Sequence, residues 1–438
     1  MDKFLEKNYK AIIIIICVLG ILLRGIYVTI NGVRTNNYDT KIWFLYDVED
    51  YEDAYKFDEK KIGDGGHLYY ILLLYDKLEL PDAPRGQYYH PPLHHFISAI
   101  WLRTMDLLPL NAMQKIESLQ ILGFLYSALI IYFSYKIMQE LKVGKKGKIL
   151  SLILLNFFPL FIRMAGFINN DTLVTLFIVI NSYYLIKYNR EPSYKNAIII
   201  ALTLGLGMMT KTSMIVMLLP AMYVWFKKLF EMNKKDEKIS KLMYQLLIFI
   251  VIAAPLCSWH QLWLVTNHDW DLLGVQTPYE HFSVKDATFF DRWGLVSKDL
   301  LENVITVENN NIFSYVINSA LYCLGTYKDS ISYIIKELLI ILIVITMYSV
   351  VKHCLKKNRE DSKNVLLIMF GIWILSFIYF NITMPFSCTM HSRYIGILFI
   401  IGMIMLGIDV DNCDKNWRKF MYILSIVFAI LSTYIVLI

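Results

Sequence analysis

Cysteine is scarce in this chain and never occurs in a metal-binding spacing. The six cysteines are scattered, and no two form a C-x-x-C pair, so the sequence signals neither a zinc site nor a disulfide framework. A bridge between Cys323 and Cys388 is an alternative that the sequence leaves open. The apolar run that begins at Ala11 is not followed by a small-residue cleavage site. We therefore expect a retained membrane span there and not a removed signal peptide.

Charged residues are few as well, at 18% of 438 residues, whereas 56% are hydrophobic and the mean hydropathy is +0.46. Several apolar runs reach the roughly 20 residues that cross about 30 Å of hydrocarbon. These runs do not alternate between polar and apolar residues as barrel strands would, which predicts helices. The formal net charge of +6 does not indicate a nucleic-acid partner, because Lys and Arg concentrate in short loops. The composition predicts an all-α polytopic membrane protein.

The order of the basic loops predicts the orientation of the chain. Four loops, at 136–148, 187–195, 227–241 and 352–363, are rich in lysine or arginine. Basic loops prefer the cytoplasm, and all four fall on the side of the N-terminus if eleven spans alternate. The spans are expected near residues 11–30, 117–137, 149–166, 171–187, 195–210, 213–226, 243–264, 331–351, 365–382, 394–409 and 420–438.

The polar clusters then fall on the opposite, extracytoplasmic side. Long loops with aromatic and acidic residues favour a catalytic or binding face over plain connectors. We therefore divide the chain into an N-terminal catalytic module at 1–264 that includes the external loop 31–116, an external loop region at 265–330, and C-terminal membrane helices at 331–438. We expect the protein to contact membrane lipids and to lie in the plasma membrane.

Acidic residues in the first external loop are candidates for a general base. Asp39 follows the first span closely, and a carboxylate held near the membrane surface can accept a proton from a substrate. The alternative is plain turn chemistry, which Asn-Asn-Tyr-Asp at 36–39 also fits. Asp47, in a similar Tyr-Asp-Val context, and Asp64 are second choices. The acidic stretch around them also fits a solvated flap.

Two short helices are expected in the same loop. Gly-Asp-Gly-Gly-His at 63–67 precedes an apolar stretch, 68–80, that is too short to span and predicts a helix along the interface. His67 at its start could contact a phosphate. Pro91 and Pro92 suit the first turn of a second interfacial helix that runs through Met105, with His90 near its cap.

His94 and His95 point in different directions on that second helix, so at most one of them shares a face with His90. Metal ligation needs several converging donors, and Asp39 or Asp64 could complete such a set. Recognition of a phosphate by histidine is an equally sensible role. The sequence therefore leaves a divalent metal as an option and requires no cofactor.

Three charged residues stand at the outer ends of later spans. Asp171 starts the fourth span, either as a simple helix cap or as a site residue that faces the other motifs. Lys211 and Arg393 lie at the outer interface, where snorkelling is the structural alternative. Basic residues at this depth can also hold an anionic lipid headgroup.

In the order of these motifs the chain resembles the GT-C membrane glycosyltransferases, in particular the bacterial protein-mannosyltransferase-like group that uses a polyprenyl-phosphate sugar donor. The resemblance covers about residues 10 to 400. It rests on Arg-x-x-x-Tyr-Asp at 34–39, Gly-Asp-Gly-Gly-His at 63–67, Tyr-His-Pro-Pro-Leu-His-His at 89–95, Asn-Asn-Asp-Thr-Leu at 169–173, Gly-Met-Met-Thr-Lys-Thr-Ser at 207–213 and Ser-Arg-Tyr at 392–394.

This resemblance implies roles for individual residues. Asp39 is the implied catalytic carboxylate, Asp171 a second site residue, and His90 a neighbour of the donor phosphate. The acidic stretch between Asp39 and Gly63 departs from the family pattern and keeps Asp47 as a rival. The implied reaction moves a sugar from a polyprenyl-phosphate donor to a protein, lipid or glycan acceptor, with inversion, while Lys211, Arg393 or His90 stabilises the leaving phosphate.

A transporter or flippase for a lipid-linked solute is the alternative from another functional class. Transporters place polar residues in the middle of the membrane, often in matched halves of the chain. No repeat relates the halves of this sequence, and its polar clusters fall in the outer loops. The sequence therefore favours the enzyme.

Overall fold

A computed structural model describes residues 2–31, 66–81, 87–233, 239–268, 283–293, 311–322, 330–356 and 361–437. Apart from an isolated antiparallel bridge between Ser283 and Phe386, the regular structure of these residues is helical. The helices are α1 (Asp2–Lys7), α2 (Tyr9–Ile30), α3 (His67–Lys77), α4 (Leu93–Met105), α5 (Ala112–Ser118), α6 (Gln120–Glu140), α7 (Lys145–Phe157), α8 (Pro159–Arg163), α9 (Asp171–Arg190), α10 (Tyr194–Met208), α11 (Leu218–Asn233), α12 (Ser240–His268), α13 (Phe289–Arg292), α14 (Ile312–Tyr322), α15 (Ser330–Leu355), α16 (Asp361–Thr383), α17 (Gly396–Asn412) and α18 (Lys415–Leu437).

Eight helices in the described ranges are long and apolar enough to cross a membrane, and a ninth span is present if the bent pair α7–α8 counts as one. The predicted all-α, multi-pass membrane fold is therefore confirmed. The predicted number of eleven spans is not confirmed, because the runs at 171–187 and 195–210 form helices that do not meet these criteria. Helix α10 has 15 residues and is about 22 Å long, short of a 30 Å hydrocarbon core. Helix α9 is almost wholly buried and includes buried polar residues such as Asn181 and Ser182.

The chain divides into two compact units. The first unit comprises Met1–Tyr27, Ile131–Arg163 and Thr277–Ile438, and within it α7 packs against α17 and α18. The second unit comprises Val28–Ile130 and Met164–Gln276, and within it α10 packs against α9 and α12, while α3 packs against α4. The functional division at residues 264 and 330 stays a prediction.

Close helix packing in the first unit depends on glycine. A Cβ atom on Gly147 in α7 would lie 2.1 Å from the carbonyl oxygen of Gly407 in α17, and one on Gly407 would lie 2.2 Å from the hydroxyl of Ser151. Small residues at such a crossing let two backbones approach, which is a common basis of helix association in membranes.

A buried arginine contacts the bend between α7 and α8. Arg24 in α2 is fully buried and donates hydrogen bonds to the carbonyl oxygens of Gly20 (2.9 Å), Asn156 (2.8 Å) and Leu155 (3.3 Å). The two helices meet at 55° because Pro159 begins α8 and cannot continue the hydrogen-bond ladder of α7. Carbonyls at the end of α7 lack helical donors and therefore accept from the guanidinium.

Both short helices of the first loop are present. Helix α3 begins at His67, as expected, and ends at Lys77. Helix α4 begins at Leu93, directly after the two prolines, and ends at Met105. The first eight residues of α3 are buried on every face. Their placement along a membrane interface stays a prediction.

Candidate functional site

The second unit assembles four histidines around the start of α3. We call His67, His90, His94 and His95 the histidine cluster; each is at most 5% exposed. The rings of His67 and His95 stack with centroids 5.1 Å apart, and Nδ1 of His67 lies 2.9 Å from Nε2 of His95. The ring of His90 also stacks with that of His67, and their centroids are 5.4 Å apart. A single proton between the first pair satisfies two nitrogens at once, since neutral imidazole has one donor and one acceptor.

Only one of the two adjacent histidines on α4 joins this stack. His95 stacks in the cluster, whereas the ring of His94 stands edge-on to that of His95 at 5.4 Å. The prediction that at most one of them would share a face with His90 is consistent with this arrangement. His94 is instead close enough to Asp171 for the charge of that carboxylate to act on it.

Tyrosines extend the stack, and sequence reasoning missed them. Tyr70 lies one turn after His67 on α3, and its ring stacks on that of His95 at 4.1 Å. The ring of Tyr88 meets that of Tyr70 edge-on at 5.3 Å. The i, i+3 spacing of His67 and Tyr70 was the available signal, because residues three apart share a helical face.

Backbone and amide hydrogen bonds join three of the predicted motifs. The amide of Leu93, at the start of α4, donates to the carbonyl oxygen of Met209 at 2.9 Å. The side-chain amide of Asn170 donates to the carbonyl oxygen of Thr210 at 3.1 Å. The segments at 89–95, 169–173 and 207–213 therefore meet at one place.

A buried ion pair forms where these segments meet. The ammonium of Lys211 donates to Oδ1 of Asp171, and the two residues are 8% and 3% exposed. Asp171 is the first residue of α9, and Asn170, which precedes it, makes no side-chain capping bond. The capping alternative for Asp171 and the snorkelling alternative for Lys211 are therefore wrong, because each side chain turns inward to the other.

Burial keeps His94 and His95 neutral. Desolvation lowers the pKa of His94 to about 4, and the negative charge of Asp171 opposes this shift. Burial also holds the pKa of His95 well below its usual value, with the charges of His67 and His94 acting in the same direction. Both ring nitrogens of His94 have no hydrogen-bond partner in the described part of the chain. A neutral imidazole beside an ion pair can accept or donate one proton to a bound group.

The pKa of His94 makes stability depend on pH. The folded protein binds this proton with a pKa of about 4 and the unfolded chain with about 6.5. Between these values the unfolded state holds an extra proton. The contribution of His94 to the free energy of unfolding is therefore fully present above about pH 6.5 and falls as the pH drops toward 4, by up to about 1.4 kcal/mol per pH unit.

We expect the apparent melting temperature of His94→Gln to fall less than that of wild type when purified protein is moved from pH 7 to pH 5. His268→Gln, at the end of α12, is the control and should keep the wild-type loss; equal losses in both variants would contradict the role of His94.

The remaining candidates lie elsewhere. Arg393 belongs to the first unit, is 6% exposed and donates from Nη2 to the hydroxyl of Tyr394 at 3.0 Å, so it is buried and not snorkelling. Asp39, Asp47 and Asp64 lie outside the described residues, as does Cys323. In the described ranges, no group of three or more His, Cys, Asp or Glu side chains could hold a metal ion.

One family model matches a segment that contains most of these residues. Residues 89–259 match the family model described as dolichyl-phosphate-mannose-protein mannosyltransferase, and this segment holds both members of the ion pair and three of the four histidines. In structure the chain is similar to the apo form of the Archaeoglobus fulgidus oligosaccharyltransferase, at 12% identity and a TM-score of 0.56, over 100% of this chain and 57% of that one. The archaeal oligosaccharyltransferase AglB from the same organism, in complex with an inhibitory peptide and a dolichol-phosphate, matches at 12% identity and a TM-score of 0.51, over 99% and 55%.

The chain thus spans little more than half the length of the solved structures it matches. A search of curated protein sequences gives no significant match. At this level of identity the structural likeness establishes the fold of the membrane part.

Proposed function

We propose that this chain, which has the fold of the GT-C membrane glycosyltransferases, moves a sugar from a polyprenyl-phosphate donor to an acceptor on the extracytoplasmic face of the plasma membrane. The resemblance to this superfamily that the motifs predicted is confirmed by the match at residues 89–259 and by the shared fold. The acceptor is a protein, lipid or glycan. Transfer inverts the anomeric centre.

The buried pair of Asp171 and Lys211 beside the neutral His94 carries this proposal. Removing two charges from water costs free energy that their attraction seldom returns in full. Such pairs in a membrane protein commonly mark a substrate site. Here the pair lies inside the matched segment, together with a histidine whose two ring nitrogens have no partner in the described ranges. A site that binds a polar, charged headgroup accounts for all three features.

The proposed reaction places one negative charge on the leaving group. The donor is a phosphodiester that links the lipid to the anomeric carbon of the sugar. A hydroxyl or amide of the acceptor attacks that carbon and gives its proton to Asp39, and the bond from carbon to phosphate oxygen breaks. The lipid phosphate leaves with the electron pair and gains a charge. Cationic groups aimed at this oxygen stabilise the transition state more than the ground state.

Lys211 is the residue that we place at the leaving phosphate. Asp171 holds its ammonium in position and is in that sense a positioning residue. His90 and Arg393 are further candidates for contacts with the phosphate, as the motifs implied. The dolichol-phosphate in the AglB complex supports a lipid-phosphate donor for the shared fold.

An assay of the purified full chain tests the proposal. The protein is incubated with a panel of polyprenyl-phosphate sugars, and the release of polyprenyl phosphate and the configuration of the product are measured. We expect turnover with at least one donor and an inverted product. Turnover with nucleotide sugars alone would overturn the donor class, and a retained configuration would overturn the single-displacement chemistry.

Sidedness is a separate prediction that follows from the basic loops. Single cysteines at Thr35, Gly86 and Asn310 should react with a membrane-impermeant thiol reagent in intact cells. Cysteines at Gly144 and Asn233 should react only after the membrane is opened. The Gly144 probe lies within the basic loop at 136–148 and therefore reports the cytoplasmic side. Labelling of Gly144 in intact cells would reverse the orientation.

A further inference from the structure

A pocket in the second unit lies among the ends of α9, α11 and α12. Its volume is about 370 Å³, within the usual range of small-molecule sites. Its lining includes three cationic side chains and one carboxylate: Arg190, Lys228, Lys241 and Glu231. The remaining lining residues are Pro192, Met232, Leu242 and Gln245. The pocket therefore has a net positive charge and also an apolar part.

The carboxylate in this pocket is already engaged. Glu231 accepts from the ammonium of Lys228 at 2.8 Å and lies 3.6 Å from that of Lys227. Arg190 and Lys241 both line the pocket and are exposed to solvent. The first turn of α12, which begins at Ser240, also lines the pocket, and its backbone N–H groups favour an anion.

Gln245 marks the inner end of the pocket as a place for a ligand. It is 1% exposed, and its side-chain oxygen accepts from the hydroxyl of Tyr188 at 2.7 Å. Its side-chain nitrogen has no hydrogen-bond partner in the described part of the chain. The ring of Tyr188 itself packs at a tilt against that of Trp225, with ring centroids 4.6 Å apart. A buried amide N–H without a partner costs free energy, and an acceptor oxygen in the pocket would satisfy it.

We infer that this pocket binds the phosphate of an anionic membrane phospholipid. Helices α11 and α12 are both apolar enough to cross the membrane, so their ends lie at headgroup depth. Basic pockets between such helices on the cytoplasmic side are suited to anionic headgroups. In this assignment Arg190 and Lys241 contact the phosphate, Gln245 donates to a headgroup oxygen, and Met232 and Leu242 contact the glycerol and upper acyl carbons. The inference is independent of sugar transfer, since none of these residues belongs to the candidate functional site.

Native mass spectrometry of the purified full chain with added lipids tests this inference. Phosphatidylglycerol should bind wild type more tightly than phosphatidylcholine. Arg190→Gln with Lys241→Gln should weaken phosphatidylglycerol binding by about fivefold for each cation removed. Lys195→Gln is the matched control, because Lys195 is exposed on neighbouring α10 but does not line the pocket. Gln245→Glu keeps an acceptor for Tyr188 and adds a repelling charge, and it should also weaken binding.

The outcomes separate the possible ligands. Equal binding of the two lipids, or equal loss in the control variant, would overturn the lipid site. Displacement of phosphatidylglycerol by inorganic phosphate at low millimolar concentration would assign the pocket to a free anion and overturn the lipid assignment. Arg190 and Lys241 are exposed side chains, so their double variant tests the inference even if Gln245→Glu does not fold.

Discussion

Asp39→Asn should reduce turnover by about 10²- to 10⁴-fold, the usual effect of removing a general base. The substitution keeps the size of the side chain and removes its ability to accept a proton. Binding of the polyprenyl-phosphate donor should change little, since the base acts on the acceptor. Turnover is measured as release of polyprenyl phosphate, and donor affinity by competition with an unreactive analogue in the same detergent.

Asp47→Asn is the matched control for this prediction. Asp47 stands in a similar Tyr-Asp context within the acidic stretch that departs from the family pattern, so its substitution tests the alignment directly. We expect a mild effect. Reversed results would make Asp47 the base, and strong loss of donor binding in Asp39→Asn would indicate a role in binding instead of proton transfer.

Local features of this fold could be predicted from sequence, because they depend on neighbouring residues. Two prolines in succession cannot lie inside a helix, and α4 begins directly after Pro92. The glycines before His67 cannot sustain a helix well, and α3 begins where they end. Long apolar runs also correspond to helices, because a run is a property of neighbouring residues. The spans that are not confirmed are those of α9 and α10, which are helical but do not meet the length and composition criteria for a span. A helix enclosed by protein needs neither the length nor the apolarity of one that faces lipid.

The partners within the site could not be predicted in the same way. Asp171 and Lys211 are 40 residues apart, and each has an ordinary explanation when read alone. Their pairing depends on how α9 and α10 pack, which no local pattern encodes. The order of the basic loops predicted that their motifs share one face of the membrane, but not that the two charges form a pair. The stacking of Tyr70 on His95 depends in the same way on the packing of α3 against α4.

Lys211→Met should abolish most activity and also destabilise the protein. The substitution leaves the carboxylate of Asp171 buried without its cation, and breaking a buried pair in this way costs about 3–5 kcal/mol. If Lys211 also stabilises the leaving phosphate, losing a charge-assisted hydrogen bond should lower turnover by roughly 10- to 150-fold. Apparent melting temperature and turnover are therefore measured on the same preparations.

A second substitution separates the two effects. Asp171→Asn in the Lys211→Met background removes the uncompensated carboxylate and should recover much of the lost melting temperature. Turnover should stay low, because no cation has been restored to the phosphate. Lys115→Met is the matched control: Lys115 pairs with Asp106 at 2.7 Å, but the two side chains are 20% and 33% exposed, so its loss should cost less than about 1 kcal/mol and leave turnover unchanged. Recovery of turnover together with stability in the double variant would make the ion pair purely structural. The lipid phosphate would then have to be stabilised by other groups, with His90 and Arg393 the first to test.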